Sequence, residues 1–236
     1  MRVAVVTGAS SGIGAALCRE LRSRGWRVVG LSRRPAPEAD EHEECDVADR
    51  GMVEVVASNV IARHPQIDLL VNNAGMPARG GFLDVEPERI ESVVDVNYLG
   101  GLWCLRAFLP ALASGSTLVN VVSVAGAVAG GPYSASKHAQ LAFSRSIGNE
   151  IADRGISVLG VLPGFVETPG FPQRGRLGFL MRAIVIDPPL VAKRTIDAVE
   201  AGKHEIVVPR FYRPALWAQA LAPGILMRRR LPGVRV

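Results

Sequence analysis

Short apolar, β-branched runs recur along this chain with helix-patterned stretches between them, and that alternation limits its folds more than any other feature. Val3–Val6, Val28–Leu31, Leu69–Val71, Leu118–Val122, Val158–Leu162 and Ile206–Val208 are apolar enough to be buried on both faces. Strands buried on both faces belong to parallel sheets covered by helices on each side. Ile13–Arg24, Met52–Arg63, Pro87–Ala113, Tyr133–Asp153 and Pro189–Ala201 read as those helices. A further short strand ends at Cys45-Asp46. The order predicts an α/β protein with a doubly wound parallel sheet of about seven strands and helices on both faces. Ligands of such sheets sit beyond the carboxyl ends of the strands. No repeat or low-complexity linker interrupts the pattern, so residues 1–236 are expected to form one domain.

Composition excludes several alternatives. With 48% apolar residues in 236, the chain is no disordered segment. Its +5 charge invites a nucleic-acid reading, but the charge is unevenly placed. Residues 1–202 hold 20 basic and 21 acidic residues, for −1; from Lys203 onward there are seven basic residues and one acid, for +6. A near-neutral body lacks the basic face that a nucleic-acid groove binder needs, so no nucleic-acid partner is expected. Cys18, Cys45 and Cys104 have neither disulfide-framework nor metal-site spacing, which favours a reducing, cytoplasmic setting and no metal. Val3–Val6 is too short for a signal peptide, and Ala215–Met227, broken by Pro223, is too short to span a bilayer.

The motifs fall where the sheet would bind a ligand. Thr7-Gly8-Ala9-Ser10-Ser11-Gly12-Ile13-Gly14 follows the first strand and opens the first helix. Glycines there permit a tight turn and let a pyrophosphate approach the amides of a helix N-terminus. The turn after the second strand, Ser32-Arg33-Arg34, has no acid for an adenosine 2′-hydroxyl. Two guanidiniums there suit a 2′-phosphate, which favours NADP(H) over NAD(H). The run Glu38–Asp46, with six acids, reads as a solvated connection, except that Asp46 ends a strand near the adenine side. Asn72-Asn73-Ala74-Gly75 ends the next strand, and its small residues let the chain pass beneath a flat cofactor.

Tyr133 and Lys137 sit at i and i+4 of a helix, on one face. A neighbouring ammonium and an oxidised nicotinamide would both stabilise a phenolate; lowering the phenol by roughly three pH units takes roughly 4 kcal/mol. Ser123 ends the fifth strand and could hold a substrate oxygen, and Asn97 lies within the long helix Pro87–Ala113. Taken singly, each residue also has a structural reading, as a loop cap, a backbone partner or an ordinary helix-start pair.

Together these motifs, with Pro163-Gly164 and Thr168, resemble the short-chain dehydrogenase/reductases over about residues 2–208. The resemblance implies a Rossmann-type fold and a tetrad of Asn97, Ser123, Tyr133 and Lys137. By it Tyr133 transfers the proton and Ser123 orients the carbonyl or hydroxyl. Lys137 binds the nicotinamide ribose and lowers the phenol pKa, and Asn97 holds a water that relays protons to Lys137. Val166 and Thr168 contact the carboxamide. The expected cofactor set is therefore Gly8, Ser10, Ser11, Gly12, Ile13, Gly14, Ser32, Arg33, Arg34, Asp46, Val47, Asn73, Ala74, Gly75, Tyr133, Lys137, Pro163, Gly164, Val166 and Thr168. One departure stands out: Ser123 precedes Tyr133 by only ten residues, closer than the family usually places them. The shorter loop is expected to reshape the substrate entrance rather than abolish chemistry.

Residues 165–190 read as a substrate lid, apolar through Phe165, Phe171, Leu177, Phe179, Leu180, Met181 and Ile184, with Arg174, Arg176 and Arg182 among them. Residues 209–236 form a basic, apolar tail that can pack on its own domain, meet a second subunit or lie on an anionic membrane surface. The sequence thus predicts an NADP(H)-preferring oxidoreductase acting on a carbonyl/alcohol pair of an apolar small molecule, as a homodimer or homotetramer. A non-catalytic dinucleotide-sensing protein of the same fold is the alternative.

Overall fold

A computed structural model describes residues 1–128, 130–175 and 182–221. Seven strands form one parallel sheet in the order β3-β2-β1-β4-β5-β6-β7. They are β1 (Val3–Thr7), β2 (Arg27–Ser32), β3 (Glu41–Glu44), β4 (Ile67–Asn72), β5 (Leu112–Val121), β6 (Ser157–Pro163) and β7 (Glu205–Val208). The helices that place the site are α1 (Gly12–Ser23), α2 (Arg50–Arg63), α3 (Pro87–Val94), α4 (Gly100–Phe108), α5 (Pro132–Ile151), α6 (Pro188–Glu200) and α7 (Arg213–Leu221).

Successive residues of a strand face opposite sides, so each β-branched run feeds two cores. Ala4, Val6, Leu69, Val71, Leu159 and Val161 pack with Leu17, Leu21 and Ile196 of α1 and α6. Val5, Leu70, Leu118 and Val158 pack with Val53, Leu105, Phe108 and Ile147 of α2, α4 and α5. The chain runs outward from β1 through β2 to β3 and then returns to β4 on the other side of β1. The crevice beyond β1 and β4 is thus the switch point at which such sheets bind ligands. Thr7 ties its lips: the hydroxyl donates to the Val71 carbonyl at 3.3 Å and accepts from the amides of Asn73 and Ala74 at 3.0 and 2.9 Å.

Two elements differ from the sequence reading. The single helix expected over Pro87–Ala113 is three pieces, α3, a π-helical turn at Asp95–Leu99 and α4, followed by a 3-10 turn at Leu109–Ala111. Pro110 cannot continue the helical hydrogen bonding, and β5 starts at Leu112, well before the expected Leu118. A register shift between Ile67 and Leu69 absorbs the early start. The acidic run is not merely a solvated connection either, because Glu41–Glu44 is the edge strand and its acids meet guanidiniums. Glu38 pairs with Arg19, Asp40 with Arg22, Glu41 with Arg27 and Arg63, and Glu43 with Arg63. Apolar periodicity says nothing about such pairs, whose partners come from α1, β2 and α2.

The described part of the tail packs on its own body, with Tyr212 and Leu216 against Val122, Leu141, Leu162 and Val207. Phe211, Trp217 and Leu221 remain exposed. The arginines at 228–230 lie outside the described residues, as do Arg176, Leu177, Phe179, Leu180 and Met181 of the expected lid. No described helix is long and apolar enough to cross a membrane.

Candidate active site

The glycine turn closes over β1 into α1. Gly8 and Gly12 adopt φ of 66° and 56°, the left-handed region open to glycine. A side chain at Gly14 would run into the Gly8 carbonyl and the Asn73 amide. Asn73 in turn donates to the Thr7 carbonyl at 2.9 Å, so the Asn-Ala-Gly segment after β4 braces the turn. Ser11 stands at the N-cap of α1 with extended backbone, and its side chain makes no cap hydrogen bond. The first-turn amides of α1 therefore keep their capacity for an anion. Ser10 and Ile13 flank them, with Ile13 packed against the core. A pyrophosphate suits this cradle, because the first-turn amides of α1 are left uncapped by Ser11 and the glycines beside them carry no side chains.

At the next strand end, Ser32 is buried and donates to the Arg34 carbonyl at 2.7 Å, which turns Arg33 and Arg34 outward. Arg33 reaches Asp46 at 3.5 Å. The two residues expected on the adenosine side are thus near each other. Val47 is buried under Gly100, where a side chain on the glycine would collide with it.

The proton-handling residues come from three elements. Ser123 follows β5, and its Oγ accepts from the Ala125 amide at 3.0 Å, fixing the hydroxyl at the loop start. Tyr133 occupies the first turn of α5, and its phenol lies beside the Ser123 side chain. The ten-residue spacing therefore does not separate them; the 3-10 turn Val124–Ala127 takes up the slack. Burial pushes the Tyr133 phenol up, and the Ser123 side chain only partly opposes it. Lys137 is 3% exposed, and burial pushes its ammonium down to about 7. Its Nζ donates to the Val121 carbonyl at 3.0 Å and to Gln140 Oε1 at 2.7 Å. In the chain alone, then, the phenol is not lowered as the sequence reading expects, because burial dominates both groups.

Asn97, fully buried, lies in the π-helical turn rather than in a regular helix. Its Oδ1 accepts from the Met76 amide at 2.8 Å, and its Nδ2 donates to Ser136 Oγ at 2.9 Å and to the Met76 carbonyl at 3.1 Å. That arrangement ties the segment after Gly75 to α5. A side chain at Gly75 would lie 3.3 Å from Asn97 Oδ1 and 3.6 Å from Lys137 Nζ.

Beyond β6, Gly164 donates to the Val208 carbonyl at 2.8 Å and packs against the Tyr212 ring, with Pro163 as the last strand residue. Val166 is buried and pairs with Ile186, which pins the two ends of the expected lid together. Thr168 lies against Gly12. Phe171 then stacks on the Tyr133 ring, with centroids 5.7 Å apart and an interplanar angle of 26°. The Arg79 guanidinium lies over the Phe171 ring, 4.7 Å from its centroid.

Sequence reasoning missed Thr7, Arg79, Ser136 and Gln140. For the last two a signal existed: Tyr133, Ser136, Lys137, Gln140 and Ser144 recur with helical spacing on one face of α5. For Arg79 there was none, since its partner Phe171 lies 92 residues further along the chain.

A parallel sheet with a glycine turn at its switch point and a Ser–Tyr–Lys group across the crevice has the layout of a nucleotide-dependent oxidoreductase. Residues 2–176 match the family model for short chain dehydrogenases, and the chain belongs to that family. It is 38% identical over 198 residues to a Streptomyces virginiae protein named for the ketoacyl reductase of the monensin polyketide synthase, covering 75% of each chain. It is 31% identical over 231 residues to an uncharacterised oxidoreductase of Staphylococcus saprophyticus, covering 90% of this chain and 97% of the relative. A Burkholderia phymatum short chain dehydrogenase/reductase, crystallised with NAD, shares the fold with a TM-score of 0.84 at 22% identity, over 97% of this chain and 95% of that one. The protein is thus an oxidoreductase of a family that uses nicotinamide cofactors.

Proposed function

We propose that this oxidoreductase interconverts a carbonyl and an alcohol on an apolar small molecule and prefers NADP(H). The observation that carries the reading is the Tyr133 phenol beside the Ser123 side chain, with Lys137 one helical turn further on, at the carboxyl end of β5. The α1 amides and Gly8, Gly12 and Gly14 would hold the pyrophosphate, and Asn73, Ala74, Gly75, Val166 and Thr168 would line the path to the nicotinamide. Asp46 and Val47 would border the adenine, and Arg33 and Arg34 would meet the 2′-phosphate, Arg33 in competition with Asp46. When bound, the cofactor supplies or takes up hydride.

The chain's own residues handle the proton. In the reducing direction the substrate carbonyl accepts hydrogen bonds from Ser123 and Tyr133. Tyr133 passes its proton to the oxygen as charge develops there, leaving a phenolate that Ser123 and the Lys137 ammonium stabilise. Asn97 holds the Met76 segment and Ser136 in place beside Lys137. The Phe171 ring over Tyr133 offers the substrate an apolar wall, and relatives named for ketoacyl reductases favour a ketone.

A panel of hydrophobic ketones and polar sugars, followed by NADPH absorbance, tests the reading. Turnover confined to apolar ketones with NADPH, and lost in Tyr133→Phe, supports it. Full turnover by Tyr133→Phe, or activity only on small polar sugars, defeats it. NADPH binding with no turnover on either set would favour a dinucleotide sensor instead.

A further inference from the structure

The inward face of α5 carries a buried amide, Gln140, that the reaction above does not use. Ser136 is engaged by Asn97, and Ser144 accepts from Asn120 Nδ2 at 3.1 Å. Gln140 lies between them, 2% exposed, beside the core residue Leu141. A buried amide costs stability unless its groups are bonded, and a leucine would fill the space without that cost. Its Oε1 makes one described bond, the 2.7 Å contact with Lys137 Nζ.

The surroundings of Lys137 make that bond consequential. Burial is the cause of its shift, and no charged side chain is among the causes. Tyr133 on α5 itself is the titratable neighbour, and His138 lies on the exposed side of the helix. The π-helical turn presents neutral Asn97, β5 presents the Val121 carbonyl, and the segment after β4 presents Gly75. Two neutral oxygens therefore hold two of the three N–H bonds of the ammonium. The third has no partner among the described residues, and Gly75, without a side chain, leaves space beside it.

We infer that Gln140 is a positioning residue: its Oε1, with the Val121 carbonyl, anchors the Lys137 ammonium so that the remaining N–H bond is directed into the site. This rests on the proposed reaction for its purpose, but not for its geometry. An acceptor on an ammonium favours the charged form. Removing it takes Lys137 further below its ordinary value, and replacing it with a carboxylate raises it.

The test is a titration of the Lys137 side chain by carbon-13 NMR in the ligand-free full-length chain, for wild type, Gln140→Leu and Gln140→Glu. Gln140→Leu is expected to lower the ammonium-to-amine ratio about tenfold at fixed pH, a downward shift of ~1 pH unit, and Gln140→Glu to shift it upward. In turnover the high-pH limb of kcat should move the same way, with KM for the ketone changing less than kcat. Unchanged titrations in folded variants, or shifts of the same sign in both, would overturn the assignment. Should Gln140→Leu fail to fold, the upward shift in Gln140→Glu decides alone. A wild-type chain without turnover would defeat the functional reading, while the titration still decides the role of Gln140.

Discussion

The inward face of α5 and the edge strand β3 both gather polar side chains, yet their surroundings give them different physics. On β3, Glu41 meets Arg27, Arg63 and His64, and Glu43 meets Arg63, with both guanidiniums 40% or more exposed. Water screens such pairs, and each contributes about 0–1 kcal/mol. Their service is to blunt a sheet edge, since charged side chains discourage a second chain from pairing there. On α5 there are fewer ionisable groups, but they are dehydrated. Lys137 has two neutral oxygens for partners and is pushed down to about 7, and burial raises the Tyr133 phenol. Six acids fall within the nine residues Glu38–Asp46, yet one buried lysine on a helix holds more chemical leverage.

Substitutions on α5 should therefore change chemistry, and those at the edge should change little. The largest effect is expected for Tyr133→Phe, which removes the proton donor while keeping the ring on Phe171. Its kcat for NADPH-dependent ketone reduction should fall about 10³-fold or more, with little change in melting temperature. Next comes Lys137→Met, expected to lower kcat by about 10²-fold and to alter stability in a pH-dependent way. The Lys137 pKa is lowered from 10.5 to about 7, so between those values the unfolded chain binds a proton that the folded chain does not. Wild-type stability should then rise with pH across this window, and the methionine variant should lack that rise. Melting curves at pH 7 and pH 10 would show the variant gaining most at pH 7; an advantage that grows toward pH 10 would contradict the burial argument.

Between the two regions, the paired substitution Arg33→Ser and Arg34→Ser should raise KM for NADPH about tenfold or more while leaving NADH nearly unchanged. Equal losses with both cofactors would remove the case for a 2′-phosphate site. Smallest of all is Glu41→Gln. Burial works to raise the Glu41 carboxyl, but hydrogen bonds from Arg27 and His64 outweigh it and hold the group below its usual range. Its contribution is present above the ordinary carboxylate pKa and is lost as pH falls through the lowered one. The variant should lose no more than about 1 kcal/mol at pH 7, and the gap should close in acid. A multi-kcal loss would mean that the edge is as tightly coupled as the α5 face.

Much of the fold and of the site is legible in the sequence. Six strands and the glycine turn follow from runs such as Val3–Val6 and from glycines at fixed spacing, which are local properties of the chain. Ser123 and Tyr133 were nameable as candidates, and their helix and strand positions were close to those observed. The break in the Pro87–Ala113 helix was less legible, because a π-helical turn shifts hydrogen bonds by one residue without needing a special side chain. Pro110 was the cue for its end. Four of the lid's seven named apolar residues fall outside the described residues, so the sequence alone speaks for them.

By itself the sequence determined the sheet, the family and the residue types that can move a proton, because periodicity and motif spacing are short-range and survive without partners. Only the tertiary structure decided how those residues are held: Asn97 clasping the Met76 segment, Phe171 lying on Tyr133 beneath Arg79, and Lys137 directed at Gln140 and Val121. Burial and hydrogen-bond direction depend on segments far apart in the chain meeting in space, and the tuning of the phenol and the ammonium depends on both.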